Sequence, residues 1–240
     1  MKNIIKFSSI ALFLSFALFS FANKASAAKL TLYCSVEIDV CEMLEQAYEK
    51  ATGTKVAMTR ASSGETFAKI KAESSNPKGD VWFGGTGDPH LTAAQENLTE
   101  KYKSSHFNDL LPAAQNQAKN ADYKSVGIYV GALGFGYNKD LLAKKGLPAP
   151  KSWMDLTKPI YKGEIQVANP NSSGTAYTTL ATILQIFGED KGWDYMKKLH
   201  ANINTYTKSG SAPIKATGRG ENLIGICFQH DGVKQTKKGL

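Results

Sequence analysis

Apolar positions along this chain come in two spacings that alternate. Leu30–Tyr33 is a short apolar run of strand length, and in Val40–Lys50 the residues Met43, Leu44, Ala47 and Tyr48 form one stripe at helical spacing. Lys55–Thr59 then reads as a strand, Thr66–Glu73 as a helix and Asp80–Phe83 as a strand. Pro89–Glu96 reads as a helix with proline in its first turn. Strand and helix in alternation predict an α/β unit with a mainly parallel sheet. Val126–Tyr137 is a long glycine-rich extended stretch suited to a crossover, and a second α/β unit follows it. There Lys158–Gly163 leads into a strand at Glu164–Ala168, a loop spans 169–174, and helices are expected over Thr175–Phe187 and Lys191–Leu199. Thr205 and Tyr206 begin a short strand, and Leu223–Phe228 is another.

The start of the chain follows a different pattern. Lys2 and Lys6 precede an apolar run from Ile10 to Phe21, and Ala25-Ser26-Ala27 has the small-x-small form of a signal-peptidase site. The run is shorter than the ~20 apolar residues of a membrane-spanning helix. A cleaved signal peptide over 1–27 is therefore expected, with the mature chain starting at Ala28 in the periplasm. Cys34, the first cysteine, follows Tyr33 where a lipobox wants a small residue, so no lipid anchor is expected. The remainder exceeds the ~200 residues usual for one domain. Two lobes fit it: lobe I over 28–128, lobe II over 129–226, and 227–240 crossing back toward lobe I.

Charge narrows the partners. The formal net charge is +8, and the leader holds three lysines and no acid, which leaves the mature chain at +5. Arg60 and Arg219 are the only arginines, and the lysines are scattered. Nucleic-acid binders cluster their basic groups, so no nucleic-acid partner is expected. Export into an oxidising compartment and close spacing predict a disulfide between Cys34 and Cys41. Neither has a histidine nearby for metal binding. Cys227 sits in the apolar run Leu223–Phe228 and reads as a buried small hydrophobe.

Candidate chemistry lies where apolar strands end. Four times such a strand runs into a small polar loop that opens toward a helix: Cys34-Ser35, Ser62-Ser63-Gly64, Gly84-Gly85-Thr86-Gly87 and Ser172-Ser173-Gly174-Thr175. Ser209-Gly210-Ser211 is a possible fifth. In open α/β sheets ligands bind beyond the carboxyl ends of the strands. Helix N-termini there offer unpaired N–H groups and partial positive charge, an anion cradle that needs few arginines. The competing role for each loop is helix capping, by Ser62 with Glu65 and by Thr86 or Asp88 before Pro89. Recurrence in both units favours ligand binding by Ser35, Ser63, Gly64, Thr86, Ser172, Ser173, Gly174, Thr175 and Ser209. His90, His106 and His200 stand in polar, surface-like contexts, whereas His230-Asp231 follows an apolar strand. No Gly-x-Ser-x-Gly elbow, phosphate-binding lysine loop or metalloprotease helix is present, so no enzyme and no cofactor are expected.

The mature chain resembles the type 2 periplasmic binding proteins of the ferric-iron and phosphonate transporter group. Tyr33-Cys34-Ser35, Ser63–Ile70, Asp80–Thr86, Pro150–Leu156, Lys162–Ile165 and Asn169–Tyr177 carry the resemblance. It implies a two-lobed α/β fold, each lobe a mainly parallel sheet flanked by helices, with the ligand cleft between. Iron-binding members use adjacent tyrosines where this chain has His230-Asp231. The runs Tyr206–Gly210 and Gly225–Asp231 instead resemble the hexose-phosphate-binding branch, in which the equivalents of His230 and Asp231 bond sugar hydroxyls and the Ser/Thr loops hold phosphate. Relatives in the group continue well beyond the position of Leu240, and that further stretch is expected to complete lobe I and add an acidic sugar contact. The leading expectation is a monomer that captures a phosphorylated sugar and delivers it to an ABC permease and ATPase complex in the inner membrane. The alternatives are a ferric-ion carrier with a synergistic anion, a phosphonate-binding protein and a secreted phosphate-ester hydrolase, the last lacking a visible nucleophile.

Overall fold

A computed structural model describes residues 29–239. The leader expected over 1–27 lies outside the described residues. The first unit runs β1 (Lys29–Cys34), α1 (Ile38–Thr52), β2 (Lys55–Arg60), α2 (Ser63–Ala72), β3 (Val81–Phe83), α3 (Gly87–Gln95) and α4 (Pro112–Asn120). The second runs β4 (Leu133–Tyr137), α5 (Lys139–Lys144), β5 (Ile165–Ala168), α6 (Gly174–Phe187), α7 (Glu189–His200), β6 (Ile203–Thr207), α8 (Ala212–Gly218), β7 (Ile224–Phe228) and α9 (Gln229–Lys237).

The first sheet is parallel throughout, in the order β2-β1-β3. Parallel neighbours need crossovers, and α1 and α2 supply them. In β1 the period of two puts Leu30, Leu32 and Cys34 on one face, where they meet Cys41 of α1 and Val36, Val56, Met58 and Phe83. This apolar cluster is small, and the Cys34–Cys41 disulfide lies within it, with Cα atoms 6.0 Å apart. The bond closes a loop with a sequence separation of 7. The unfolded-chain entropy that so short a loop removes is about 2–3 kcal/mol. The double replacement Cys34→Ala/Cys41→Ala is therefore expected to lower unfolding free energy by about that amount in urea titrations. A midpoint equal to that of the unreduced parent would count against a stabilising bond.

The second sheet has the order β4-β7-β5-β6. β5 pairs in parallel with β6 and β7, while β4 runs antiparallel to β7. Its core is larger, with Leu156, Tyr161, Ile165, Ile183, Leu223, Ile224 and Ile226 fully enclosed. β7 is central and buried on both faces, as its unbroken apolar sequence requires. It runs past residue 226 to Phe228, because Phe228 still pairs with Leu133 of β4. Cys227 is buried within it, and burial pushes its thiol up to about 12, which leaves it an unreactive hydrophobe.

The two-lobed α/β architecture expected from the alternation is present. Three local expectations change. The extended stretch 126–137 pairs only over Leu133–Tyr137, and 125–132 is irregular. α4, α5, α8 and α9 were not legible, because each is short or polar and takes its helical form from packing. Within α9, for example, Asp231 and Gln235 are the buried residues, and apolar spacing says nothing about them. His90 is half-buried rather than a free surface residue. Its ring stacks on Trp82 with centroids 3.6 Å apart, and burial lowers its pKa.

Candidate functional site

A cleft of about 280 Å³ opens between the two sheets, and every segment that lines it follows a strand end or a connecting loop. β1 leads to Ser35, Val36 and Glu37; β2 ends in Arg60 and leads to Ser62 and Ser63; β3 leads to Gly85, Thr86 and Asp88. Facing them are Ser173, Gly174 and Thr175 beyond β5, Gly210 and Ser211 beyond β6, and Phe228, His230 and Asp231 at the end of β7. Tyr129–Gly131 closes one side. These are the carboxyl ends of the parallel strands, where open α/β sheets place their ligands.

Six helices start at the cleft, and three of them follow the expected Ser/Thr/Gly loops, with Ser62, Thr86 and Ser173 as the N-caps of α2, α3 and α6. Their first N–H groups bring partial positive charge from both sheets to one space. Capping accounts for part of the hydroxyl chemistry. The Glu65 carboxylate accepts from Ser62 N–H at 3.1 Å, and Ser173 Oγ accepts from Ala176 N–H at 3.4 Å. At α3 it does not. Thr86 makes no side-chain cap, and its Oγ1 is shut from solvent with no protein partner. Its N–H donates instead to Ser63 Oγ at 3.2 Å.

The approach of the facing loops depends on glycine. A Cβ at position 174 would fall on Thr86 Oγ1, and would lie 2.9 Å from both Thr86 Cβ and Ser63 Oγ. Gly84 and Gly85 have φ of +76° and +89°, which side chains rarely tolerate, and they turn the β3–α3 loop toward the cleft. The Tyr129 hydroxyl fastens that loop by accepting from Gly85 N–H and donating to Gly85 O, both at 2.8 Å.

Charges are divided along the cleft. The Arg60 guanidinium reaches across it, donating from Nε to Val36 O at 3.0 Å and from Nη2 to Ser209 Oγ at 3.3 Å. Glu37 pairs with Lys215 at 2.5 Å. Burial pushes the Glu37 carboxyl up, but hydrogen bonds from Lys215 and Ser211 win and hold it below the usual range. Asp231 is 7% exposed and lies 3.7 Å from His230 Nε2, and burial is the main cause that raises its pKa. His230 stays open to the cleft, its ring nearly parallel to Phe228.

Of the residues expected to bind a ligand, Ser35, Ser63, Thr86, Ser173, Gly174, Thr175, His230 and Asp231 meet on this cleft. Three do not line it. Gly64 and Ser172 are used up in joining the two units, since Gly64 N–H donates to Ser172 O at 3.0 Å. Ser209 sits behind the rim, against Arg60. Glu37, Arg60 and Tyr129 line the cleft and were not among the expected residues. The position of Arg60 as the last residue of a strand could have marked it; Glu37 and Tyr129 carry no such signal.

Three comparisons with known proteins bear on this arrangement. The family described as bacterial extracellular solute-binding protein matches residues 83–238. An uncharacterized protein of Haemophilus influenzae is 43% identical over 240 residues, covering 98% of this chain and 69% of its own length. A probable ABC transporter periplasmic-binding protein of Sinorhizobium fredii is 33% identical over 163 residues, 65% of this chain and 43% of that protein. The periplasmic binding protein AfuA of Actinobacillus pleuropneumoniae, solved with fructose-6-phosphate bound, superposes with a TM-score of 0.86 at 45% identity. It covers 89% of this chain and 67% of that one.

Proposed function

The chain belongs to the bacterial extracellular solute-binding proteins, in the type 2 ferric-iron and phosphonate group, and we propose that it captures a phosphorylated sugar in the periplasm for an inner-membrane ABC permease. The observation that carries this is the convergence of three helix N-termini and their Ser/Thr loops, from both sheets, on one cleft. A phosphate dianion is complementary to such a site, being an acceptor-only group that benefits from many short N–H and O–H donors. Thr86 Oγ1, buried without a partner, is a hydroxyl still owed a bond. At the other end Asp231 and His230 offer an acceptor and a ring for sugar hydroxyls. The sugar phosphate bound to AfuA adds weight to this choice. The proposed division of labour assigns 28–128 to one lobe and 129–226 to the other, with ligand held between them.

Calorimetry with fructose 6-phosphate is the direct test, with inorganic phosphate as the fragment lacking the sugar. Asp231→Ala is expected to weaken fructose 6-phosphate about ten- to a hundredfold, the effect of one hydrogen bond to a charged group. Inorganic phosphate should be nearly unaffected. Equal losses for both would remove Asp231 from the sugar end. A coloured complex on ferric loading, without heat from the sugar phosphate, would turn the assignment to iron transport.

A further inference from the structure

One wall of the cleft is backed by a side chain that does not line it. Trp82 of β3 directs its indole Nε1–H at Ser35 Oγ, 2.9 Å away. Ser35 Oγ also lies 3.0 Å from Thr66 Oγ1, which is buried near the start of α2. An indole N–H can only donate, so Ser35 must accept from Trp82 and one of its lone pairs is occupied. Either hydroxyl of the Ser35–Thr66 pair can donate, and when Thr66 does it fills the other lone pair with its own proton. A serine oxygen that accepts twice has one role left, to donate its proton toward the cleft.

The indole is held in place for this. Its ring stacks on His90 at 3.6 Å with planes 22° apart. His90 Nε2 lies 2.8 Å from Gly84 O, and because a carbonyl only accepts, Nε2 carries the proton. The stack therefore ties Trp82 to the same β3–α3 loop whose next residues, Gly85 and Thr86, line the cleft.

Building on the sugar-phosphate assignment above, we infer that Trp82 is a positioning residue that, with Thr66 as the second donor, commits Ser35 to donate. The cleft is thereby biased toward ligands that present an acceptor-only anion at Ser35. An unconstrained serine would accept a ligand N–H or O–H as readily as it donates to an oxyanion. One already loaded with two donors rejects the former, which is specificity through an unfavourable pairing.

Trp82→Phe keeps a ring over His90 and removes the N–H. Its expected effect is about a tenfold loss of fructose 6-phosphate affinity, the loss that one hydrogen bond of ordinary strength produces. In a Ser35→Ala background the same replacement should change affinity less than about twofold, because the two residues act as one unit. A full tenfold loss in that background would overturn the inference. A second measurement needs no variant. In nitrogen-15 spectra of the full chain, the Trp82 indole N–H signal should move as inorganic phosphate binds, and those of Trp153 and Trp193 should not. Binding seen by calorimetry with the Trp82 signal unmoved would remove this role and leave the sugar-phosphate assignment intact. Absence of calorimetric binding to either fructose 6-phosphate or phosphate would remove both.

Discussion

Gly174→Ala is expected to lower fructose 6-phosphate affinity by about two to three orders of magnitude while leaving the unliganded melting temperature nearly unchanged. Alanine at the first residue of α6 is compatible with its helical backbone and improves helix propensity, so the unit that carries it has no reason to unfold. The new methyl group meets Thr86 across the cleft. Rotating the threonine does not relieve the overlap, because its Cβ as well as its Oγ1 lies too close, and Ser63 Oγ blocks the other side. The loops must separate, and separation breaks several donor contacts to the ligand at once, each contributing about 1.5–3 kcal/mol when the acceptor is charged. The measurement pairs calorimetry with thermal unfolding: the variant should keep its own melting temperature and lose the upward shift that ligand gives the parent. Parent-like affinity would mean that the two loops do not close on the ligand together.

Thr175→Asp should be comparably damaging for a different reason. Thr175 is the second residue of α6 and lines the cleft. A carboxylate there interacts well with the helix N-terminus, so the empty protein is expected to be as stable as the parent or slightly more so. The ligand loses. A negative charge held within several ångströms of a phosphate dianion, at the effective dielectric of a protein surface, opposes binding by several kcal/mol. That corresponds to a loss of at least about two orders of magnitude in affinity. Thr175→Val removes the hydroxyl without adding charge and should lose only about tenfold. The difference between the two variants isolates charge repulsion, and it should shrink as salt is raised. If aspartate and valine weaken binding equally in calorimetry, the phosphate does not sit at the start of α6.

The same residues mark where sequence stops being informative. Short-range pattern was sufficient wherever neighbours in sequence are neighbours in space. The stripe in α1 found the helix but not its packed face, since Met43 and Tyr48 are exposed and Cys41 is the buried residue. The period of two in β1 and the Ser/Thr/Gly loops after strands rest on contacts within a few residues. The disulfide is of the same kind, with Cys34 and Cys41 a sequence separation of 7 apart. So were eight of the residues that meet on the cleft, because each sits just past a strand end, where the fold class alone directs it.

Tertiary structure decided what each loop atom faces. Gly64 and Ser172 belong to the right loops, yet their backbone bond to each other spans the two units and removes both from the cleft. Arg60 and Glu37 gain their roles from partners far along the chain, Ser209 and Lys215. Tyr129 becomes a clamp only because Gly85, 44 residues earlier, turns toward it. None of these pairings has a local signature, since a side chain's propensity and spacing are the same whichever partner it later meets. By itself the sequence determined the alternating elements, the loops at their ends and the family. The strand orders β2-β1-β3 and β4-β7-β5-β6 decided which of those loops meet. Strand order is set by packing summed over residues distant in sequence, and no window of consecutive residues contains that sum.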